Sequence, residues 1–477
     1  MMKKTIILLF GLIICSLLSA HPWKPNHYVI IDTDGGIDDM KAISMMLASP
    51  DVRVLGIICS PGSLSAASTY IKVKSMLNSY YHEGIPVMIN RSARFKSPDM
   101  PAALGYYWGD ESTVDPSGAP DFLPFIRNII KYEPSKISFV CLGGLSTAAS
   151  SVREIADLND HLNQIIWSCE GLKDTRGFNY SIDKAASRYI LEQEIPVAAV
   201  VPDEAAVFYD AGFISGIKGT GTPYAKKIST FLESETAGNH DFALQLYDDL
   251  VPLYLHYPQY FSKTGSGTKS DNSPSDITGL REGYLKIVSG ETVEHNQVIK
   301  EIPEDPDFYF DDLKPYVTEI IEKYGHDEWV SGVIGNELHR HLGTFSIIGV
   351  KMGIRAREYF DTGVDEFTAV SYAGSEPPLS CMNDGVQVST GATPGHGLLT
   401  VRSDTAKLPM VDFTYLNHTI RLRLKPELAE KISGELKEIN FVYGLDSNIY
   451  WELVRKNSIK YWRELDRHEI FDIEVLN

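Results

Sequence analysis

The sequence predicts an α/β fold, a mostly parallel sheet flanked by helices, followed by a smaller α+β unit. Three observations predict it. Short apolar runs alternate with segments whose apolar residues recur at helical spacing, the pattern of strands joined by crossover helices. Gly-Gly pairs follow two of the early strands, at the strand ends where such folds build their sites. The pattern then breaks in a polar stretch at 265–275 and restarts near Trp329, which places a domain boundary near residue 326.

The first twenty residues stand outside this fold. Lys3 and Lys4 precede an apolar run from Ile6 to Leu18, and Leu18-Ser19-Ala20 ends in a small residue suited to signal-peptidase cleavage. The run is too short to span a bilayer. Residues 1–20 therefore read as a signal peptide, and the protein as exported, periplasmic or secreted. Cys15 stands where a lipoprotein cysteine would, but the bulky Ile14 before it disfavours lipid anchoring. No later segment is long and apolar enough to be transmembrane.

A strand is expected over 28–31, then a helix carrying Met40, Ile43 and Leu47. Next come a strand at 52–59, a helix at 65–77 and a strand at 85–89. A helix over 122–132 leads to a strand at 137–141, and Gly143-Gly144 opens a helix over 146–158. Runs 164–167 and 195–201 extend the sheet. The polar stretch 265–275 reads as a loop, 284–288 as a strand and 313–323 as a helix. Domains are thus expected at 21–325 and 326–477, the second starting with a helix that carries His339 and His341.

Lys and Arg number 44 against 63 Asp and Glu, a net charge of −19. A surface this acidic repels phosphate backbones, which argues against nucleic acid as a partner. It suits a small neutral substrate and a bound divalent cation, and leaves a homo-oligomer open. After the leader four cysteines remain, Cys59, Cys141, Cys169 and Cys381, with no CxxC pair. The first three read as buried free thiols.

The sharpest chemistry is Asp32-Thr33-Asp34-Gly35-Gly36-Ile37-Asp38-Asp39, directly after the first strand. Four carboxylates surround a Gly-Gly turn that can fold back and aim them at one point. Such charges repel unless a hard cation with oxygen ligands joins them, and calcium takes 6–8. A solvated turn with Asp38 and Asp39 capping a helix is the plainer alternative, but it needs one or two acids rather than four.

This segment resembles the DxDPGxDD signature of the inosine–uridine-preferring nucleoside hydrolases, with Gly35 in place of the proline. The resemblance extends over about 27–325. Cys141-Leu142-Gly143-Gly144-Leu145-Ser146 is similar to the family's TGGLTN, where a backbone carbonyl, here that of Leu142, ligates calcium. Gly177-Phe178-Asn179 is similar to EFN, which makes Asn179 a ribose ligand and leaves Gly177 where a ribose-binding glutamate sits. Gly62-Ser63 matches the family's GN. Tyr247-Asp248-Asp249-Leu250 resembles the late HDP segment, with Asp248 as calcium ligand and Tyr247 replacing a histidine acid. Asn239-His240-Asp241 offers another HD pair without the residues that follow.

The resemblance implies calcium held by Asp34, Asp39, Asp248 and the Leu142 carbonyl. The cation lowers the pKa of a water, Asp34 acts as general base, and Asp38, Asn179 and Ser63 hold the ribosyl substrate. Trp108, with Tyr106, Tyr107 and Tyr247, can stack on the base or donate a proton to it. The expected activity is calcium-dependent hydrolysis of a nucleoside N-glycosidic bond. One alternative is a non-catalytic protein that binds a ribosyl ligand or metal. Another is a phosphatase of the haloacid-dehalogenase type with Asp32 as nucleophile, since Asp32-Thr33-Asp34-Gly35 resembles its DxDG.

In the second unit His339-Arg340-His341 and the stretch from Cys381 through Asp384 and Gln387 to Gly397 resemble an FmdE-type domain, over about 330–477. That domain is named for a subunit of formylmethanofuran dehydrogenase and carries HxHxCPG and CxxDaxQxxTGxTxGxG patterns. His339, His341 and Cys381 are donors suited to zinc or another transition metal. The glycine-rich run 391–397 can bind an anion at its amides.

Overall fold

The computed structural model of the protein describes residues 24–202, 208–238, 246–292, 298–299, 301–404 and 407–476. The leader, its Cys15 and the Asn239-His240-Asp241 segment lie outside them. The chain forms two compact units, 25–300 with 357–362, and 301–356 with 363–477. Among the described residues, no helix is long and apolar enough to cross a membrane.

The first unit is built on eight strands: β1 (His27–Thr33), β2 (Val52–Cys59), β3 (Val87–Ile89), β4 (Ile137–Cys141), β5 (Leu162–Ser168), β6 (Val197–Val200), β7 (Phe261–Ser266) and β8 (Lys269–Pro274). Their order in the sheet is β3-β2-β1-β4-β5-β6-β8-β7. All neighbours are parallel except β7, which runs antiparallel on β8. The central strands are apolar almost throughout because helices cover both faces of such a sheet. Val29, Ile30 and Ile31 are fully buried, and every residue of β2 is buried.

Helices α1 (Ile37–Ala48), α2 (Ala66–Ser79), α3 (Phe122–Tyr132) and α4 (Ser146–Glu154) follow the first four strands in turn. Helix α1 buries Met40, Ile43 and Leu47, as their spacing required. Short α5 (Phe178–Ile182), α6 (Leu250–His256) and α7 (Ile277–Ser289) complete the part that matters for the site. Cys59, Cys141 and Cys169 are buried and free.

Two expectations are corrected here. The polar stretch 265–275 is not a loop but most of the β7–β8 hairpin, turning at Gly267 with φ +68°. Its buried Asn272 is satisfied within the sheet, where Nδ2 donates to the carbonyls of Ala199 at 3.0 Å and Ser270 at 3.2 Å. The run 284–288 is not a strand but the end of α7. There Leu280, Tyr284, Ile287 and Val288 lie on one buried face, at spacings of four, three and one. A short apolar run carries no period of its own.

The second unit has five strands: β9 (Thr368–Ser371), β10 (Leu399–Val401), β11 (Met410–Tyr415), β12 (His418–Leu424) and β13 (Phe471–Val475), in the order β10-β9-β11-β12-β13. Only β9 and β10 are parallel. Its helices include α8 (Val317–Tyr324), α9 (His326–His339), α10 (Met382–Thr390), α11 (Pro426–Tyr443) and α12 (Asn448–Glu464). Val317, Ile320 and Tyr324 of α8 share a core with Trp329, Ile347 and Trp462, where the two indoles stack at 5.2 Å. Residues 301–325, expected to close the first domain, therefore belong to the second unit.

Candidate active site

The turn between β1 and α1 depends on Gly35, whose φ of +81° is closed to proline and strained for other side chains. A Cβ there would meet Thr69 Oγ1 at 2.7 Å. Glycine in place of the proline thus gives this loop a different turn. Gly36 keeps the centre open, since a Cβ on it would lie 2.7 Å from Asp38 Oδ1 and 2.8 Å from Asp39 Oδ1.

The carboxylates are held in place by their neighbours. Asp39 Oδ2 accepts from Thr33 Oγ1 at 2.5 Å and from the Asp34 N–H at 3.0 Å. Asp34 is 2% exposed and is walled by two glycines: a Cβ would approach its Oδ2 to 2.1 Å at Gly62 and 2.9 Å at Gly143. Ser63 hydrogen-bonds the Asp34 carboxyl through side chain and backbone. Asp248, just before α6, reaches the same centre. Ligand oxygens of Asp38, Asp39 and Asp248 lie within 4.8 Å of one another, the one such three-residue group among the described residues.

Burial and mutual repulsion raise the proton affinity of this group. Burial, then Asp39, pushes Asp38 up to about 7. Burial, then Asp39, raises Asp34 well above the usual carboxylate range, and burial, then Asp38 and Asp39, does the same for Asp248. Asp39 is raised by burial and held back by its bonds to Asp248 and Thr33. Asp32 is turned away. It is fully buried, accepts from Ser60 Oγ at 2.5 Å and Thr147 Oγ1 at 2.9 Å, and is raised to about 7 by burial. That placement supports the loop and leaves no open face for the nucleophile of the phosphatase alternative.

Asn179, at the start of α5, donates to the carbonyls of Leu142 at 2.8 Å and Ser168 at 2.9 Å, tying together the ends of β4 and β5. The Leu142 carbonyl expected to meet calcium thus accepts from the asparagine expected to meet ribose. Tyr247 is half-buried and precedes Asp248. Trp108 is corrected. It is 1% exposed and packs on Tyr106 and Phe231 at 5.2 and 5.6 Å, a core indole with no face for a substrate. Tyr106 packs with it, and Tyr107 is 69% exposed. Instead, a cleft of about 540 Å³ opens beside Gly62-Ser63, lined by Pro61, Asn90, Arg91 and Phe95 among others. Phe95 meets Phe178, the residue before Asn179, edge-on at 6.4 Å.

One feature of the site lies outside the expected residues. Lys41 Nζ donates to Asp249 Oδ2 at 2.7 Å, with the two side chains 1% and 0% exposed, and sits 4.8 Å from the Tyr209 ring centre. The pair joins α1, just after Asp38 and Asp39, to the segment that carries Asp248. The sequence hinted at it, since a lysine interrupts the apolar helix and Asp249 stands where the related motif has proline. Removing one partner of a buried pair strands the other charge. Lys41→Met is expected to lower the unfolding free energy by about 3–5 kcal/mol. Lys41→Met/Asp249→Leu should recover most of that, as read by urea unfolding.

In the second unit the expected donors separate. His339 Nδ1 pairs with Asp384 Oδ2 at 2.7 Å, and the His339 and His341 rings are 4.2 Å apart. Both Nε2 atoms face Gly343, where a Cβ would lie 3.2 and 3.4 Å from them. His339 Nε2 is buried without a hydrogen-bond partner. Cys381 does not complete a three-ligand group with them. Its thiol, pushed up to about 11 by burial and then by the Asp384 charge, starts α10, while Asp384 one turn later meets the imidazole. The run 391–397 forms a tight loop in which Thr393 Oγ1 accepts from the His396 N–H at 3.1 Å.

Residues 29–309 match the family model described as inosine-uridine preferring nucleoside hydrolase. Residues 338–441 match the one described as FmdE, molybdenum formylmethanofuran dehydrogenase operon. An uncharacterized protein of Schizosaccharomyces pombe is 24% identical over 190 residues, covering 37% of this chain and 61% of that protein. The non-specific ribonucleoside hydrolase RihC of Salmonella paratyphi A is 23% identical over 254 residues, covering 49% of this chain and 81% of that one. Among solved structures, a purine-preferring ribonucleoside hydrolase from Gardnerella vaginalis aligns with a TM-score of 0.46 and 17% identity, over 55% of this chain and 98% of that one. An inosine-uridine preferring nucleoside hydrolase from Bacillus anthracis aligns with a TM-score of 0.42 and 13% identity, over 55% and 99%.

Proposed function

Because the chain belongs to the inosine-uridine preferring nucleoside hydrolase family, we propose that it hydrolyses the N-glycosidic bond of a ribonucleoside or a related ribosyl compound, with calcium as cofactor. The observation that carries this reading is the convergence of Asp38, Asp39 and Asp248 on one point, beside a buried Asp34. Three clustered carboxylates, Asp39 and Asp248 buried and Asp38 partly so, each with its proton affinity raised by burial, are a donor set that fits a hard cation. Asp39, Asp248 and Asp34 would hold it, with the Leu142 carbonyl once Asn179 turns to substrate. Bound there, calcium would supply the Lewis acidity that makes water a nucleophile at neutral pH.

The chain's own residues supply the rest. Asp34, whose burial makes it a ready proton acceptor, takes a proton from the attacking water. The water oxygen bonds to the anomeric carbon, and the C–N bond breaks with its electrons leaving on the base. Asp38, Asn179 and Ser63 hold the sugar hydroxyls. The cleft at Pro61 and Phe95 takes the base in the role first given to Trp108. Tyr247 returns a proton to the departing nitrogen.

The test is direct. The protein is stripped with a chelator, calcium is restored, and release of free base from inosine, uridine and other nucleosides is followed. Calcium-dependent release supports the reading, and tight calcium binding with no turnover on any ribosyl substrate supports the non-catalytic alternative. Tyr247→Phe separates the acid from the base. Its kcat on inosine should fall by about 10²-fold, while kcat on p-nitrophenyl riboside, whose leaving group needs no proton, should change little.

Two further parts belong to this proposal. Paired imidazole Nε2 atoms at His339 and His341 support a site for zinc or another transition metal in the second unit, with Asp384 fixing the His339 ring. Metal analysis of the full chain against its His339→Ala variant tests it. Export through cleavage after Ala20 is tested by the amino-terminal sequence of the mature protein.

A further inference from the structure

We propose that Glu170 is a ribose-binding carboxylate of this site, standing in space where Gly177 leaves none in sequence; the inference rests on the ribosyl reading above. Glu170 lies just beyond the carboxyl end of β5, as Asp34 lies beyond β1 and Leu142 beyond β4. Its Oε1 accepts from the Phe178 N–H at 2.7 Å, which fixes the carboxylate against the residue before Asn179.

Gly177 and Glu170 are a matched pair. A Cβ at 177 would lie 2.0 Å from Glu170 Oε2, 2.5 Å from its carboxyl carbon and 3.1 Å from Oε1. Any side chain at 177 would therefore evict the carboxylate. Glycine here is not demanded by the backbone, since its φ of −53° is open to every L residue. What the glycine provides is room for Glu170.

The position connects to the chemistry by contacts. Phe178 touches Phe95 in the cleft wall. Asn179 bonds the Leu142 carbonyl, and the adjacent Gly143 abuts Asp34. Glu170 is solvent-exposed, as a group that meets a ligand at the mouth must be. A carboxylate there accepts from sugar hydroxyls in charge-assisted hydrogen bonds, and its ligand class is a ribosyl group with free hydroxyls.

The test is equilibrium binding, so that turnover does not enter. In the calcium-loaded full chain carrying Asp34→Asn, calorimetry measures inosine and its 2′-, 3′- and 5′-deoxy analogues, before and after adding Glu170→Gln. We expect inosine to bind at least about tenfold more weakly, one deoxy analogue to bind unchanged, and the calcium affinity to stay as it was. Glu170→Ala/Gly177→Glu, which moves the carboxylate along the chain, should regain most of the loss. If Glu170→Gln leaves inosine and all three analogues at parental affinity, or weakens all four alike, Glu170 only caps α5 and the inference is overturned. A parent that binds no ribosyl ligand overturns the ribosyl reading itself, a separate result.

Discussion

Asp34→Asn is expected to lower kcat by about 10³-fold or more while leaving a folded protein whose melting temperature, with divalent cations removed, rises. Both halves follow from the same burial. The carboxyl is 2% exposed, walled by Gly62 and Gly143, with its proton affinity raised by burial and by Asp39. Asparagine has the same shape, so the glycine walls still fit. It removes one of the charges that repel Asp38 and Asp39, and it keeps an oxygen to accept from Ser63. What it cannot do is take a proton from water. Functional carboxylates packed this tightly are held against their own electrostatics, and relieving them trades activity for stability. Single-turnover release of base from inosine with calcium present, and calorimetry on the chelated proteins, check the pair of outcomes. Turnover within tenfold of the parent would remove Asp34 from the role of base.

The parts of this site that were legible from sequence are those with local signals. The strand 28–31, the acidic loop and α1 follow one another within twenty residues, and period and turn chemistry announce each. The HD-like segment was legible only through Tyr247 and Asp248 together with the residues after them. What stayed hidden depends on partners far along the chain. Lys41 and Asp249 are 208 positions apart, and each alone looks like a flaw in an apolar segment. Glu170 belongs to no motif, and its significance appears only from the empty Cβ position at Gly177. Trp108 misled because an aromatic near a motif carries no sign of which way it faces. In the second unit, the resemblance grouped Cys381 with two histidines, while the helix turn at α10 brings Asp384 to His339 instead. Composition likewise hid the β7–β8 hairpin, since its β7 face is exposed and polar, and its buried Asn272 is satisfied by the Ala199 carbonyl of β6.

Removing divalent cations is expected to cost stability by an amount that grows with pH. Asp38 is raised from 3.8 to about 7 in the folded protein, chiefly by burial and by Asp39, and Asp248 is raised further by burial and by Asp38 and Asp39. A folded-state pKa above the unfolded one means the folded protein binds the proton more tightly. The contribution to stability is therefore full below about pH 4 and is lost as pH rises toward 7. For Asp38 alone the loss is on the order of 4 kcal/mol. The chelated protein should thus melt at lower temperature at pH 8 than at pH 5. Calcium reverses the argument, because it replaces the protons that quench the carboxylates. Its binding must displace protons, so its apparent affinity weakens as pH falls below 7, and the stabilisation it gives by mass action shrinks with it. The gain in melting temperature from calcium should be several-fold larger at pH 8 than at pH 5. Proton release on binding at pH 6 should appear as a heat that differs between two buffers of unlike ionisation enthalpy. An equal gain at both pH values would mean that the cation binds elsewhere, because no site made of Asp34, Asp39 and Asp248 beside Asp38 can bind it without competing with their protons.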